Sequence, residues 1–162
     1  MKYVAVFLAS ALLGPVSPVE FDWKAGSEIP GTVVRPLFEA AARLSRYPLT
    51  ATTPTVVIRS NAEFQAEFCP GEDCMVFGSF YERLPNVIFI NELTPEWRRA
   101  VTVVHESVHY LQHRAGVLVP SCLGVSAAEL EAHAAAFRYM IDNRVEGDMT
   151  PPHYFCIKGV NQ

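Results

Sequence analysis

Residues 94–114 of the chain read TPEWRRAVTVVHESVHYLQHR, and this stretch predicts one long helix. Thr94 is suited to capping the helix, Pro95 to its first position, and Glu96 to the positive end of its macrodipole. Gly116 follows at the place where a helix commonly ends on a left-handed residue. Apolar residues recur along one side at helical spacing and predict a buried face: Trp97, Val101, Val104, Val108 and Leu111.

The same stretch carries two histidines four residues apart. His105 and His109 would project from one side of the helix, about 40° apart around its axis, so both imidazoles can reach one ion. Glu106 would then lie beside the remaining coordination position, where it can accept a proton from a zinc-bound water and return it to a leaving amine. The pattern predicts a zinc site with Glu106 as catalytic base. The alternative is a pair of solvated histidines on an amphipathic helix.

A third metal ligand is expected from the last helix, which is predicted to run from a Ser126 cap to about Arg144. Glu129 and Glu131 lie two residues apart on it and point in nearly opposite directions, so only one can face the metal. Four apolar residues predict a buried stripe on this helix: Leu130, Ala134, Phe137 and Ile141. Glu129 lies beside that stripe, whereas Glu131 lies opposite it, solvated near Arg138. We therefore select Glu129.

His133 follows Glu129 by one helical turn and is predicted to hydrogen-bond a metal ligand from outside the coordination sphere. With it, the chain resembles the gluzincin branch of the zinc peptidases, in which HExxH on one helix is completed by a Glu that opens an ExxxD-like motif on the next. The matching residues here are His105, Glu106, His109 and Glu129. Residues 129–133 read ELEAH, which is similar to the ExEAD and ExEAN forms of several small members, with His133 in the place of the acid.

The resemblance covers residues 86–143 and implies a zincin-like α+β fold. In that fold a small antiparallel or mixed sheet packs on the HExxH helix and on the following glutamate-bearing helix. The resemblance also implies that residues 87–90 form the edge strand that holds an extended substrate. The metzincin branch does not fit, because Gln112 and Ala115 stand where it requires Gly and His.

Local patterns predict the elements that precede the motif. Residues 31–47 have the apolar spacing of a helix that Pro48 ends. The β-branched run Thr55–Arg59 predicts a strand, and residues 62–68 a short helix. Residues 75–81 and 86–90 predict an antiparallel pair of strands.

The length of 162 residues, half of them hydrophobic, suits a single domain, placed at residues 20–162. Residues 1–19 are interpreted as an export signal, because Lys2 precedes an apolar stretch at residues 3–13 that is too short to cross a bilayer. Cleavage is expected between residues 15 and 22. This predicts a periplasmic or secreted protein with no stable membrane insertion after cleavage. The alternative is a buried N-terminal strand or helix.

The chain contains four cysteines: Cys69, Cys74, Cys122 and Cys156. An even number in an exported chain predicts two disulfides, with three possible pairings. We favour Cys69–Cys74, because the residues between them form a turn sequence, together with Cys122–Cys156. A cysteine zinc site is the competing interpretation, but the chain has no CxxC spacing.

The C-terminal tail offers two candidate donors for a developing oxyanion. His153 or Tyr154 could serve if a Cys122–Cys156 bridge folds the tail over the cleft, whereas the alternative is a structural tail. His113, one turn beyond His109, could line the same cleft, or be solvated at the helix end.

A formal charge of −4 and the lack of any run of Lys and Arg argue against a nucleic-acid partner. The leading hypothesis is an exported zinc-dependent metallohydrolase, a peptidase that holds one Zn²⁺ and acts on a peptide or protein. One alternative is a catalytically silent zinc-binding domain that recognises an envelope protein or peptide. Another is a disulfide-stapled structural domain whose histidines are incidental.

Overall fold

The structure, a computed structural model, describes residues 21–68, 70, 76–80, 83–117 and 122–149, with the backbone alone at 122–125. Several sequence predictions fall outside the described residues: the signal segment at 1–19, the oxyanion donors His153 and Tyr154, and both disulfides, since Cys69, Cys74, Cys156 and the side chain of Cys122 are not described.

Three short strands form a mixed sheet: β1 (Thr55–Arg59), β2 (Gly78–Phe80) and β3 (Val87–Asn91). The strand order is β1-β3-β2, with β1 parallel and β2 antiparallel to β3. Val56 and Ile58 alternate with less buried neighbours along β1, so the sheet turns one apolar face to the core. With the helices below, this confirms the predicted small α+β architecture and the predicted antiparallel pairing of β2 with β3.

The expectation that residues 87–90 form an edge strand is wrong. β3 is the central strand, and its backbone is paired with β1 on one side and with β2 on the other. A strand paired on both sides has no free backbone groups for an added peptide. Within the described sheet, β2 is the edge strand next to the histidine helix.

Four helices accompany the sheet in the described part of the chain: α1 (Gly31–Leu44), α2 (Asn61–Phe68), α3 (Glu96–Arg114) and α4 (Cys122–Asn143). α1 ends three residues before the predicted boundary at residue 47. Ser45 is already extended, with φ −104° and ψ 176°, although its amide still donates to the carbonyl of Ala41. This early end lets Tyr47 leave the helix axis and become buried, with its hydroxyl on Glu131 of α4.

α3 starts differently from the prediction but ends as predicted. Pro95, not Thr94, is the N-cap residue. The Thr94 hydroxyl lies 2.7 Å from the carbonyl oxygen of Asn91 and 3.0 Å from that of Phe77. The hydroxyl thus ties the helix start to the sheet. At the other end Gly116 has φ +68°, the left-handed conformation that commonly ends a helix.

The predicted register of α4 is wrong in two respects. The helix begins at Cys122, so Ser126 lies inside it and does not cap it. Leu130, Phe137 and Ile141 of the predicted buried stripe are 63%, 54% and 55% exposed. The buried face carries four alanines together with two large side chains: Ala128, Ala132, Ala135, Ala136, Tyr139 and Met140. The alanines let the backbones of α3 and α4 approach closely, so the packed face is the alanine-rich one and not the face that carries Leu130, Phe137 and Ile141.

The core lies between the sheet and the long helices. Phe38 of α1 and Tyr110 of α3 are fully buried and meet edge to face, with ring centroids 5.5 Å apart. Val104 and Val108 of α3 lie in the same buried cluster, which fixes how α3 is rotated against α4. None of the helices in the described part of the chain combines the length and apolarity that a bilayer crossing needs.

Candidate metal centre

α3 and α4 pack against each other and bring three side chains to one point. The His105 and His109 Nε2 atoms lie 3.1 Å apart. The Glu129 carboxylate reaches both rings, with Oε2 3.3 Å from His105 Nε2 and Oε1 3.2 Å from His109 Nε2. These three residues form a group that could hold a metal ion.

The spacing of these side chains is compatible with a single bound metal ion. Ligand atoms about 2.0–2.1 Å from a tetrahedral zinc lie about 3.3 Å from one another. In this group the two imidazole nitrogens lie 3.1 Å apart, and they lie 3.3 and 3.2 Å from different oxygens of the Glu129 carboxylate. The side chains of His105, His109 and Glu129 are 14%, 11% and 20% exposed, so the cluster is mostly buried but still reached by solvent. Such a site can hold an ion and still admit a water or a substrate.

The carboxylate of Glu106 lies beside the cluster and is almost fully buried. The backbone amide of Phe80 in β2 donates to its Oε2 at 2.8 Å. Burial raises the pKa of Glu106, against the opposing influence of the His105 and His109 charges. A carboxylate with a raised pKa is better matched to proton transfer near neutral pH than a solvated one.

Gly78 of β2 allows this contact between the sheet and α3. A Cβ atom at this position would lie 2.5 Å from Thr102 Cγ2 and 2.9 Å from both Cγ and Oε1 of Glu106. Only a residue without a side chain therefore lets β2 approach closely enough for its Phe80 amide to hold the Glu106 carboxylate.

The carboxylate and the imidazoles shift each other's protonation. Burial alone would lower the pKa of His109, but the hydrogen bond to Glu129 and the charges of Glu106 and Glu129 raise it to about 9. Burial alone would raise the pKa of Glu129, but its hydrogen bonds to His105 and His109 hold that pKa well below its usual range. Without a metal, the favoured state is therefore an ion pair between Glu129 and a protonated His109.

His133 lies next to the cluster rather than in it. Its Nε2 is 3.9 Å from Glu129 Oε2, beyond hydrogen-bond distance, and its ring centroid is 4.5 Å from that of His105. Burial, followed by the charge of His105, lowers the pKa of His133 to about 4. His133 is thus a neutral imidazole at neutral pH, and its buried Nδ1 has no hydrogen-bond partner among the described residues.

His113 lies against β2, and Glu131 has partners other than the one that the sequence suggested. The ring of His113 contacts Phe80, with centroids 5.4 Å apart, and is not part of the three-ligand group. Glu131 does not pair with Arg138, which pairs with Asp142 instead. The Glu131 carboxylate forms an ion pair with Arg46 at 2.8 Å and accepts a hydrogen bond from the Tyr47 hydroxyl.

Sequence reasoning missed Gln112 as a site residue. This side chain is fully buried on α3, and its Oε1 lies 2.8 Å from His109 Nδ1. Its Nε2 donates to the carbonyl oxygen of Ala128 at 3.0 Å and to Glu131 Oε2 at 3.2 Å. The signal in the sequence is its spacing, since a residue three positions after His109 lies on the same side of the helix.

Comparisons with family models, with curated proteins and with solved structures found no match for this chain. The chemical interpretation of the site therefore rests on its residues and their geometry.

Proposed function

We propose that this chain is a zinc-dependent hydrolase of the gluzincin type and that it cleaves peptide bonds. The observation that carries the proposal is the convergence of the His105 and His109 Nε2 atoms and the Glu129 carboxylate on one point, with the buried Glu106 carboxylate beside them. Two imidazoles and one carboxylate are a ligand set that suits zinc and leaves a position open for water or substrate.

A bound zinc ion would supply Lewis acidity and would make a water acidic near neutral pH. The protein's own contribution is to place a base next to that position. The Glu106 carboxylate accepts the proton of the attacking water and later delivers it to the nitrogen of the leaving amine. The Phe80 amide fixes the orientation of the carboxylate, and burial keeps bulk water away from it.

A peptide is the proposed substrate because the edge strand β2 lies directly beside Glu106. β2 pairs with β3 on one side, and no further strand of the described sheet pairs with it on the other, where the Phe80 amide already donates to Glu106. An extended peptide can pair with such an edge through its backbone, which would bring its carbonyl groups close to the metal position. The strand proposed to hold the substrate is therefore β2 in place of residues 87–90.

Comparing Glu106→Gln with the wild type tests the assignment. Wild-type protein with zinc added should hydrolyse members of a broad peptide library, and Glu106→Gln should lower the rate by about 10²–10⁴-fold while zinc remains bound. Glu146→Gln, at an exposed position outside the site, is the matched control and should keep the wild-type rate.

Zinc-loaded wild-type protein that cleaves no peptide would contradict the proposed peptidase activity and favour a catalytically silent domain that recognises a peptide. Equal rates for Glu106→Gln and the wild type would contradict the role of the base.

We also propose that the protein is exported, on the basis of its signal-like N-terminal segment at residues 1–19. Fractionation of expressing cells tests this, with the shortened chain expected outside the cytoplasm. Retention of the uncleaved chain in the cytoplasm would contradict it.

A further inference from the structure

We infer that Gln112 is a positioning residue that fixes which nitrogen of His109 carries a proton, and that Glu131 in turn fixes the orientation of Gln112. This inference rests on the proposed function, since it concerns how His109 presents itself to a metal. It adds two residues to the site, and neither belongs to the group that could hold the ion.

The orientation of the Gln112 amide follows from its neighbours. Two acceptors, the Ala128 carbonyl oxygen and Glu131 Oε2, lie 3.0 and 3.2 Å from one end of the amide. Only the NH₂ group can face two acceptors, because an oxygen there would meet two other oxygens in a fully buried position. The amide oxygen must therefore face His109.

The tautomer of His109 follows from the orientation of the amide. The Gln112 oxygen lies 2.8 Å from His109 Nδ1 and can only accept, so Nδ1 must carry a proton and donate it. In a neutral imidazole the lone pair then lies on Nε2, the atom that faces His105 Nε2 and Glu129 Oε1. Gln112 thus directs the metal-binding nitrogen towards the site and also holds the plane of the ring.

Glu131 is held in place from the other side. Tyr47, which is 7% exposed, donates its hydroxyl proton to Glu131 Oε2, and Arg46 forms an ion pair with Oε1. These two contacts hold the Glu131 carboxylate in position as an acceptor for the Gln112 NH₂ group. The chain of contacts runs from the segment after α1, through α4, to the ligand on α3.

A purely structural role, in which Gln112 only cross-links α3 and α4, makes a different prediction. That role requires the hydrogen bonds from Gln112 to Ala128 and Glu131, but it does not depend on which nitrogen of His109 carries a proton. Two experiments separate the roles. One detects the protons on the His109 ring directly, and the other exchanges the amide and the carboxylate between positions 112 and 131.

The first experiment uses metal-free protein with ¹⁵N-labelled histidine, so its outcome does not depend on zinc binding. The spectra are recorded above the His109 pKa of about 9, where the ring is neutral and only one of its nitrogens carries a proton. Nuclear magnetic resonance should detect a proton on His109 Nδ1 that exchanges slowly with water. Gln112→Leu should abolish the slow exchange, because the buried acceptor is lost. Asn143→Ala is the matched control, since it removes a side-chain hydrogen bond near the end of α4 away from His109 and should leave the signal unchanged.

The second experiment measures zinc affinity by competition with a chelator. Gln112→Leu should weaken zinc binding about 10–100-fold, the usual effect of removing the partner of a metal-binding histidine. The double variant Gln112→Glu with Glu131→Gln should restore the slow exchange, because a carboxylate then accepts from His109 and an amide donates to that carboxylate. The zinc affinity should recover only in part, because the Ala128 carbonyl loses its donor.

A wild-type His109 with no proton on Nδ1 would overturn the inference, whether or not the protein binds zinc. Unchanged exchange and affinity in Gln112→Leu would overturn it as well. Failure of the wild-type protein to bind zinc, with a slowly exchanging proton on Nδ1, would instead refute the proposed function and leave the tautomer assignment standing. If Gln112→Leu does not fold, the double variant and the wild-type spectrum decide the question.

Discussion

Replacing Gly78 with alanine should disturb both the fold and the catalytic carboxylate. The new Cβ would lie 2.5 Å from Thr102 Cγ2 and 2.9 Å from the Cγ and Oε1 atoms of Glu106. Because non-bonded carbon atoms pack about 3.5–4.0 Å apart, β2 and α3 must separate by about 1 Å. Overpacking of this kind lowers the free energy of unfolding by about 1–3 kcal/mol.

The same shift should reduce activity. Separation of β2 from α3 lengthens or breaks the hydrogen bond from the Phe80 amide to Glu106, which is 2.8 Å long in the structure. A displacement of about 1 Å in a catalytic group costs about 100-fold in rate. We therefore expect Gly78→Ala to lose about that factor in kcat/KM for a peptide substrate, with zinc still bound.

Urea unfolding and peptide hydrolysis measure the two effects separately. Gly31→Ala is the matched control, because a Cβ added at Gly31 meets nothing within 4 Å and should change stability by less than about 0.5 kcal/mol. If Gly78→Ala unfolds at the same urea concentration as Gly31→Ala and hydrolyses peptide at the wild-type rate, β2 does not approach α3 this closely.

Two further predictions concern titration and the register of α4. Metal-free protein should lose stability as the pH rises from about 6.5 to about 9, because His109 has a pKa of about 9 when folded and about 6.5 when unfolded. Glu129→Gln should make this loss of stability less steep, and urea unfolding at several pH values measures it. An equally steep loss in Glu129→Gln would contradict the ion pair between Glu129 and His109. Phe137→Glu should change stability by less than about 0.5 kcal/mol, whereas Ala136→Leu should cost about 1–3 kcal/mol. Thermal unfolding that ranked these two variants in the opposite order would refute the observed register.

Local patterns predict elements well where one residue type dominates one face. The apolar spacing of α3, the left-handed end at Gly116 and the β-branched run of β1 all correspond to elements of the structure. The strand order cannot be predicted in this way. Whether β3 is central or an edge depends on pairing between residues far apart in sequence, such as Thr55 with Val87.

The predicted register of α4 fails for a physical reason. Burial of the large apolar side chains is the ordinary expectation, but close packing on α3 favours alanines such as Ala132 and Ala136, which are fully buried. Sequence reasoning selects Glu129 because it lies beside a stripe that is in fact exposed. The structure still brings Glu129 to the imidazoles, because it is next to Ala128 and one turn before Ala132 on the packed face.

The two histidines of the ligand group are accessible from sequence because residues four apart on a helix share a side regardless of the rest of the fold. The contacts that orient those ligands are not accessible. Gln112 meets Ala128 and Glu131 across two helices, and Phe80 meets Glu106 from the sheet, so both contacts depend on tertiary packing.

The most direct test of the proposed metal site is its affinity for zinc. Competition with a chelator measures this affinity in the purified wild-type protein and in Glu129→Gln. We predict one zinc per wild-type chain and a loss of more than about 100-fold in affinity for Glu129→Gln, since removing a ligand should exceed the effect of removing a ligand's partner. The control Glu146→Gln should bind as the wild type does. Wild-type protein that takes up no zinc, or Glu129→Gln with unchanged affinity, would contradict the metal site.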